Sequence, residues 1–166
     1  MCTLSHSKIL TLPQLLAALG ALRTDRKRIV FTNGCFDILH PGHVDLLKRA
    51  KEHGDLLVLG LNSDASVRRL GKRGDRPFNN SPARAFVLAH LSSVDFVVEF
   101  DEDTPQALIE AIIPDVLIKG GDWMPEAIVG RECVEKNGGK VLSLPLIPGF
   151  STTGLAERIQ RSFGAM

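Results

Sequence analysis

A surplus of charge is nearly absent from this chain: 20 Lys and Arg stand against 19 Asp and Glu, a formal net charge of +1. So balanced a chain has no general polyanion-binding or anionic-membrane-binding character, although a local basic pocket stays open to it. Cysteine is scarce as well. Cys2, Cys35 and Cys133 are odd in number and show no CxxC spacing. That excludes a disulfide framework and a thiolate metal site, and fits reduced thiols in a cytoplasm. No apolar run approaches the ~18 residues that a membrane span needs. Internal repeats, low-complexity tracts and interdomain linkers are missing too. The first apolar stretch, residues 9–22, also lacks the lead of a secretory signal, because only Lys8 precedes it as a positive charge. Leu12, Leu15, Leu16, Leu19 and Leu22 instead recur at helical spacing, with Thr11 and Gln14 placed as a capping box and Pro13 in the first turn.

What is present is the ordinary stock of a globular protein: 166 residues, 44% hydrophobic and 23% charged. Such a chain is expected to form one domain spanning 1–166, with residues 1–28 as a helical segment packed on it. From residue 29 onward, short runs rich in Val, Ile and Leu alternate with helical patterns. Strands are predicted at 29–33, 55–62, 94–100, 115–119 and 140–145, each expected to be buried on both faces. Helices are predicted at 42–52, 65–70, 82–91, 105–113, around 129–137, and at 153–162. This alternation predicts an α/β, Rossmann-like, doubly wound parallel sheet whose ligands bind beyond the carboxyl ends of the strands. The polar segments 33–43, 62–64, 119–123 and 149–153 all fall there, which predicts one site assembled from four loops.

The most informative segment is Asn33-Gly34-Cys35-Phe36-Asp37-Ile38-Leu39-His40-Pro41-Gly42-His43. It leads from a strand into a helix, whose unpaired N–H groups attract an anion. Gly42 lets a phosphate approach the backbone, and His40 and His43 add side-chain donors. Metal binding or a purely structural role are the other readings of the two histidines; no obvious carboxylate set accompanies them, although Asp37 and Asp45 are close. The loop 68–76 is basic, with Arg68, Arg69, Lys72, Arg73 and Arg76. No GxGxxG follows the first strand, and Lys72 follows Gly71 but precedes Arg73, so no Walker A loop exists. Ser151 and Thr152 open another helix, where they can cap it or donate to phosphate. Asn33, Asp64, Lys119 and Asp122 sit near strand ends, within reach of a ligand. Helix capping is an equal candidate for Asp64, and core packing for Trp123. Cys35 reads as a small packing residue.

The HxGH block resembles that of the cytidylyltransferase-like nucleotidyltransferases. Further segments are similar to their heptose 1-phosphate adenylyltransferase branch: Asn62-Ser63-Asp64-Ala65-Ser66, Phe100-Asp101-Glu102-Asp103-Thr104-Pro105, Lys119-Gly120-Gly121-Asp122 and Gly149-Phe150-Ser151-Thr152-Thr153. The loop 71–75 is slightly longer than the branch pattern, and Asn80-Ser81-Pro82-Ala83-Arg84 replaces an acidic helix start. Some members carry a sugar kinase domain; this chain resembles the stand-alone transferase.

The resemblance implies adenylyl transfer from ATP to D-glycero-D-manno-heptose 1-phosphate, for lipopolysaccharide core precursor synthesis in the cytoplasm. Catalytic roles fall on His40, His43, Lys72 and Arg84, all toward the triphosphate. Nucleotide binding falls on Thr32, Asn33, Gly34, Cys35, Phe36, Gly42, Ser151 and Thr152, and sugar phosphate binding on Asp37, Asn62, Asp64, Lys119 and Asp122. Mg²⁺ is expected to arrive with ATP rather than at a protein metal site. A homo-oligomer is expected from the family, and neither nucleic acid nor membrane is an expected partner. CTP with a polyol phosphate, GTP with the alpha anomer, and a non-catalytic nucleotide-binding module remain alternatives.

Overall fold

In a computed structural model, residues 4–71, 75–121 and 123–164 are described. The five predicted strands form: β1 (Ile29–Gly34), β2 (Leu56–Asn62), β3 (Phe96–Phe100), β4 (Val116–Gly120) and β5 (Lys140–Leu144). They make one parallel sheet in the order β3-β2-β1-β4-β5. Among the described residues seven α-helices flank them: α1 (Leu12–Thr24), α2 (Pro41–Lys51), α3 (Asp64–Arg69), α4 (Ser81–Ala89), α5 (Gln106–Ile112), α6 (Arg131–Lys136) and α7 (Thr152–Gly164). None among the described residues is long and apolar enough to cross a membrane.

Successive strand residues point to opposite faces, so each central strand feeds two apolar layers. Val30, Leu57, Leu59 and Ile118 face α2 and α4, where Leu46, Leu47, Leu88 and Ala89 meet them. Phe31, Val58 and Leu117 face the other way, onto Leu15 and Leu19 of α1 and Ile109 and Ile112 of α5. Each such side chain contributes roughly 1.5–3 kcal/mol when removed from water. Gly60 makes this packing possible, because a Cβ there would stand 2.8 Å from the Phe31 ring. Burial on both faces holds for the inner strands. β5 is only half-buried, because it lies at the sheet edge and is paired on one side.

The helix ends follow from local chemistry. Gln14 Oε1 accepts from the Thr11 N–H at 2.9 Å and from its hydroxyl at 3.0 Å, which starts α1. Ser63 and Asn80 side chains accept from Ser66 N (3.0 Å) and Ala83 N (3.1 Å), starting α3 and α4. Ahead of α1, the chain lies along the outer edge of β3. Val97 N donates to Lys8 O at 2.8 Å and Leu10 N to Val97 O at 3.0 Å. Lys8 Nζ reaches back to Val94 O (2.7 Å) and Leu91 O (3.2 Å) at the end of α4.

Candidate active site

The strand order reverses between β1 and β4: the chain builds outward through β2 and β3, then returns to lay β4 and β5 on the opposite side. Strand-end loops on either side of such a point diverge and leave a crevice. Here a cleft of about 270 Å³ opens beyond these ends, with Asn33, Gly34, Lys119 and Gly120 on its floor. A second cleft, of about 380 Å³, lies between the starts of α2 and α7 and shares His43, Arg76, Leu146 and Thr152 with the first.

His40 is the residue before α2, extended at φ −144° and ψ 167°. Its ring stacks on that of His43 with centroids 3.8 Å apart and planes 19° from parallel. Phe36, held at φ 44°, tilts against the His43 ring at 5.2 Å. Gly42 has no room for a side chain to spare: a Cβ would lie 3.2 Å from His40 Nδ1 and 3.5 Å from Phe150 Cβ. The α2 start is therefore pressed against the approach to α7, and two helix N-termini share one hollow. Both present the positive end of a helix dipole. Burial pushes the His40 imidazole below its ordinary pKa, since the charged form loses water. Its Nδ1 is buried and has no hydrogen-bond partner.

The residues toward β2 and β3 are engaged with one another. Arg84 is 3% exposed. Its Nη2 meets Asp64 Oδ1 at 2.7 Å, Nη1 donates to Cys35 O at 2.7 Å, and Nε donates to Asn79 O at 2.9 Å. Ser63, not Asp64, caps α3, so Asp64 serves as the counter-ion of Arg84. Asp37 is buried and accepts from Phe78 N (2.9 Å) and Asn79 N (3.0 Å). Asn62 is buried and donates to Ser66 Oγ at 2.9 Å. Of the 62–64 segment, no residue lines the two clefts just described; Val67, one turn on in α3, does.

Across the cleft, Lys119 Nζ donates to Asn33 Oδ1 at 3.2 Å, bridging β4 and β1 above their apolar portions. The ammonium also lies 5.7 Å from the Trp123 ring centroid, whose Nε1 donates to Gly120 O. Trp123 is half-exposed at the cleft rim rather than packed in the core. Gly34, Cys35, Phe36 and Thr152 line the cleft as well, whereas Thr32 is wholly buried within the sheet. Ser151 Oγ accepts from Gly154 N at 3.0 Å, capping α7, and also borders the second cleft. Lys72 and Asp122 lie outside the described residues. From the basic loop, Arg76 reaches both clefts, which the sequence reading did not single out. The available signal was its place at the loop's end, two residues before the backbone that Asp37 clamps. Among the described residues, no three His, Cys, Asp or Glu side chains are grouped closely enough to hold a metal.

A 3-2-1-4-5 parallel sheet with paired histidines at a helix start beside the point where the strand order reverses has the form of an α/β nucleotidyltransferase. Residues 31–148 match the family described as Cytidylyltransferase-like, and the chain belongs to it. It is 55% identical over 156 residues to the bifunctional protein HldE of Geotalea uraniireducens, covering 94% of this chain and 32% of that protein. With HldE of Geobacter metallireducens the identity is 52% over 160 residues, again 32% of the relative. The chain thus spans about a third of the length of these curated relatives. Among solved structures, the lipopolysaccharide core biosynthesis protein of Thermoplasma volcanium superposes with a TM-score of 0.61 at 29% identity, covering 73% of this chain and 97% of that one. A pantoate-beta-alanine ligase from Francisella tularensis shares the fold alone, with a TM-score of 0.58 at 16% identity.

Proposed function

We propose that the chain transfers an adenylyl group from ATP to D-glycero-D-manno-heptose 1-phosphate, releasing pyrophosphate and ADP-heptose. The observation that carries this reading is the stacked His40–His43 pair in a hollow shared by two helix N-termini, opening onto the Asn33–Lys119 floor. The hollow suits a polyphosphate, and the floor suits a polar second substrate. Similarity to the HldE proteins and to a lipopolysaccharide core biosynthesis protein supports the heptose acceptor.

In the reaction, an acceptor phosphate oxygen forms a bond to the α-phosphorus. The bond from that phosphorus to the α,β-bridging oxygen breaks, and its electron pair leaves on pyrophosphate. The attacking oxygen is already anionic, so the burden is positioning and charge stabilisation rather than deprotonation. His43 donates toward the phosphates. At His40 a bare buried Nδ1 is less costly than a buried N–H without an acceptor, which puts the proton on Nε2, ready to donate. Lys119 and Asn33 receive the acceptor, and Thr152 with the α7 N-terminus holds the far phosphates. Mg²⁺ fits as a partner of the triphosphate that retains several waters, neutralising phosphate charge without a protein cage. Arg84 and Asp37 hold the loop 33–40 against 78–79, so they set the position of the hollow rather than touch phosphate.

The test is pyrophosphate release with Mg²⁺, crossing ATP, CTP and GTP against both anomers of heptose 1-phosphate and glycerol 3-phosphate. Selective turnover of ATP with a heptose 1-phosphate is expected. Preference for another pair would replace the substrates, and nucleotide binding without any turnover would replace the enzyme with a binding module.

A further inference from the structure

We propose that Arg76 is a catalytic residue of this site, its guanidinium holding the triphosphate and the pyrophosphate that departs from it. The inference rests on the reading that the two clefts bind a nucleoside triphosphate. It goes beyond that reading by giving the cationic role to a residue outside both the HxGH block and the α7 start.

Four observations converge. First, Arg76 lines both clefts, as His43 and Thr152 do, and its guanidinium reaches Thr153 in the first turn of α7. Second, its donors are underused. Nη2 donates to Thr153 Oγ1 at 3.2 Å, while Nε is buried and has no hydrogen-bond partner. A buried guanidinium N–H left unsatisfied is costly, and an anionic oxygen entering the clefts would satisfy it. Third, the residue is held in place. The guanidinium carbon stands 5.4 Å from the Phe78 ring centroid, and the Phe78 N–H is fixed to the buried Asp37. The charge is thereby preorganised, which is what leaving-group stabilisation requires. Fourth, the competing arginine is committed. Every nitrogen of Arg84 donates to Asp64, Cys35 or Asn79, and its side chain borders a separate hollow of about 100 Å³ near Leu39 and Val87. Arg84 could reach a phosphate only by abandoning a buried ion pair and two carbonyls.

The planar fork of arginine grips two phosphate oxygens through parallel N–H bonds, a fixed geometry that a rotating ammonium does not supply. Arg76 in this role binds where the chain already offers the α7 N-terminus, so the departing pyrophosphate meets a guanidinium on one side and backbone N–H groups on the other. Thr153, whose hydroxyl now accepts from Arg76, is the stand-in that the phosphate displaces.

The experiment uses the whole chain and the variants Arg76→Ala and Arg76→Lys, with inorganic tripolyphosphate as the probe in calorimetry and ATP in turnover. Arg76→Ala is expected to weaken tripolyphosphate binding at least ~10-fold and to lower kcat by ~10²-fold, the scale of a lost preorganised donor. Adenosine binding and the melting midpoint are expected to stay as in the unmodified protein. Arg76→Lys should recover part of the affinity and less of kcat, since it restores charge without the fork. Tripolyphosphate binding within twofold of the unmodified protein in both variants would overturn the proposal. Loss of tripolyphosphate affinity in a protein that turns over no substrate pair would uphold Arg76 as a phosphate ligand and overturn the transferase reading instead. Should Arg76→Ala melt early, Arg76→Lys carries the binding test alone, and unchanged affinity in it, together with unchanged kcat, decides against a bidentate grip.

Discussion

Arg84 and Arg76 border the same loop, yet one is spent and the other is not. Arg84 is enclosed among Asp64, Cys35 O and Asn79 O, and near it Asp37 and Asn62 are likewise matched to partners within the chain. Across the cleft, Arg76 Nε and His40 Nδ1 are buried without partners, and the starts of α2 and α7 face one hollow. The first region is a finished polar network; the second holds buried polar atoms that the protein itself does not match. Buried donors are normally matched, so the unmatched Arg76 Nε sets this side apart from the closed one. The closed side thus acts as the frame against which the open side is held.

This contrast can be broken from either side, and the largest effect belongs to the frame. Arg84→Ala leaves Asp64 without its counter-ion and the Cys35 and Asn79 carbonyls without this donor. The expected loss is about 3–5 kcal/mol of folding stability, toward the lower end because Asp64 is partly wet, measured as a shift of the urea midpoint. A midpoint like that of the unmodified protein would mean that the frame is held elsewhere. On the open side, His43→Ala should lower kcat by ~10²-fold while shifting the melting midpoint by only a few degrees (roughly 4–8 °C per kcal/mol in small domains). Comparable losses of stability and turnover would erase the distinction between the two regions. Ser151→Ala removes the cap of α7 and should cost about 1 kcal/mol in thermal unfolding, with a modest rise in KM for ATP.

The smallest effect concerns protons. Burial holds His40 below its ordinary pKa in the empty protein, so the unfolded chain takes up this proton first as pH falls. The stability contributed by neutral His40 is complete above the unfolded value of 6.5 and is lost as pH falls through the lowered folded value. A bound triphosphate favours the imidazolium, so ATP should move the His40 titration upward in NMR and bind more tightly as pH drops toward 6. An unmoved titration would place the triphosphate away from this ring.

The architecture was legible because hydrophobic periodicity is local. Each run of Val, Ile and Leu found its strand, and Thr11 with Gln14 marked where α1 begins. The HxGH block was legible for the same reason, since four residues at one helix start carry their geometry with them. The partners of Arg84 were not. Asp64 and Cys35 reach it only through the lateral order of β1 and β2 and the length of the 70–80 connection, neither of which is written in any one segment. Asp37 sat within the most informative segment, but its partners are backbone N–H groups 41 and 42 residues away. The choice of Arg76 within a run of five basic residues likewise depended on which one emerges beside α7. Half-burial of β5 followed from edge placement, a property of the sheet and not of the strand.

The short pairing ahead of α1 bears on how the protein tolerates trimming. Residues 8–10 occupy the hydrogen-bonding edge of β3, and an uncovered edge is a template for other chains. A protease cutting just before α1 would remove nothing from the clefts and little from the apolar layers. It would nevertheless strip the guard from one side of the sheet, and the product, still folded and still shaped to bind its ligands, would be lost from solution by joining copies of itself.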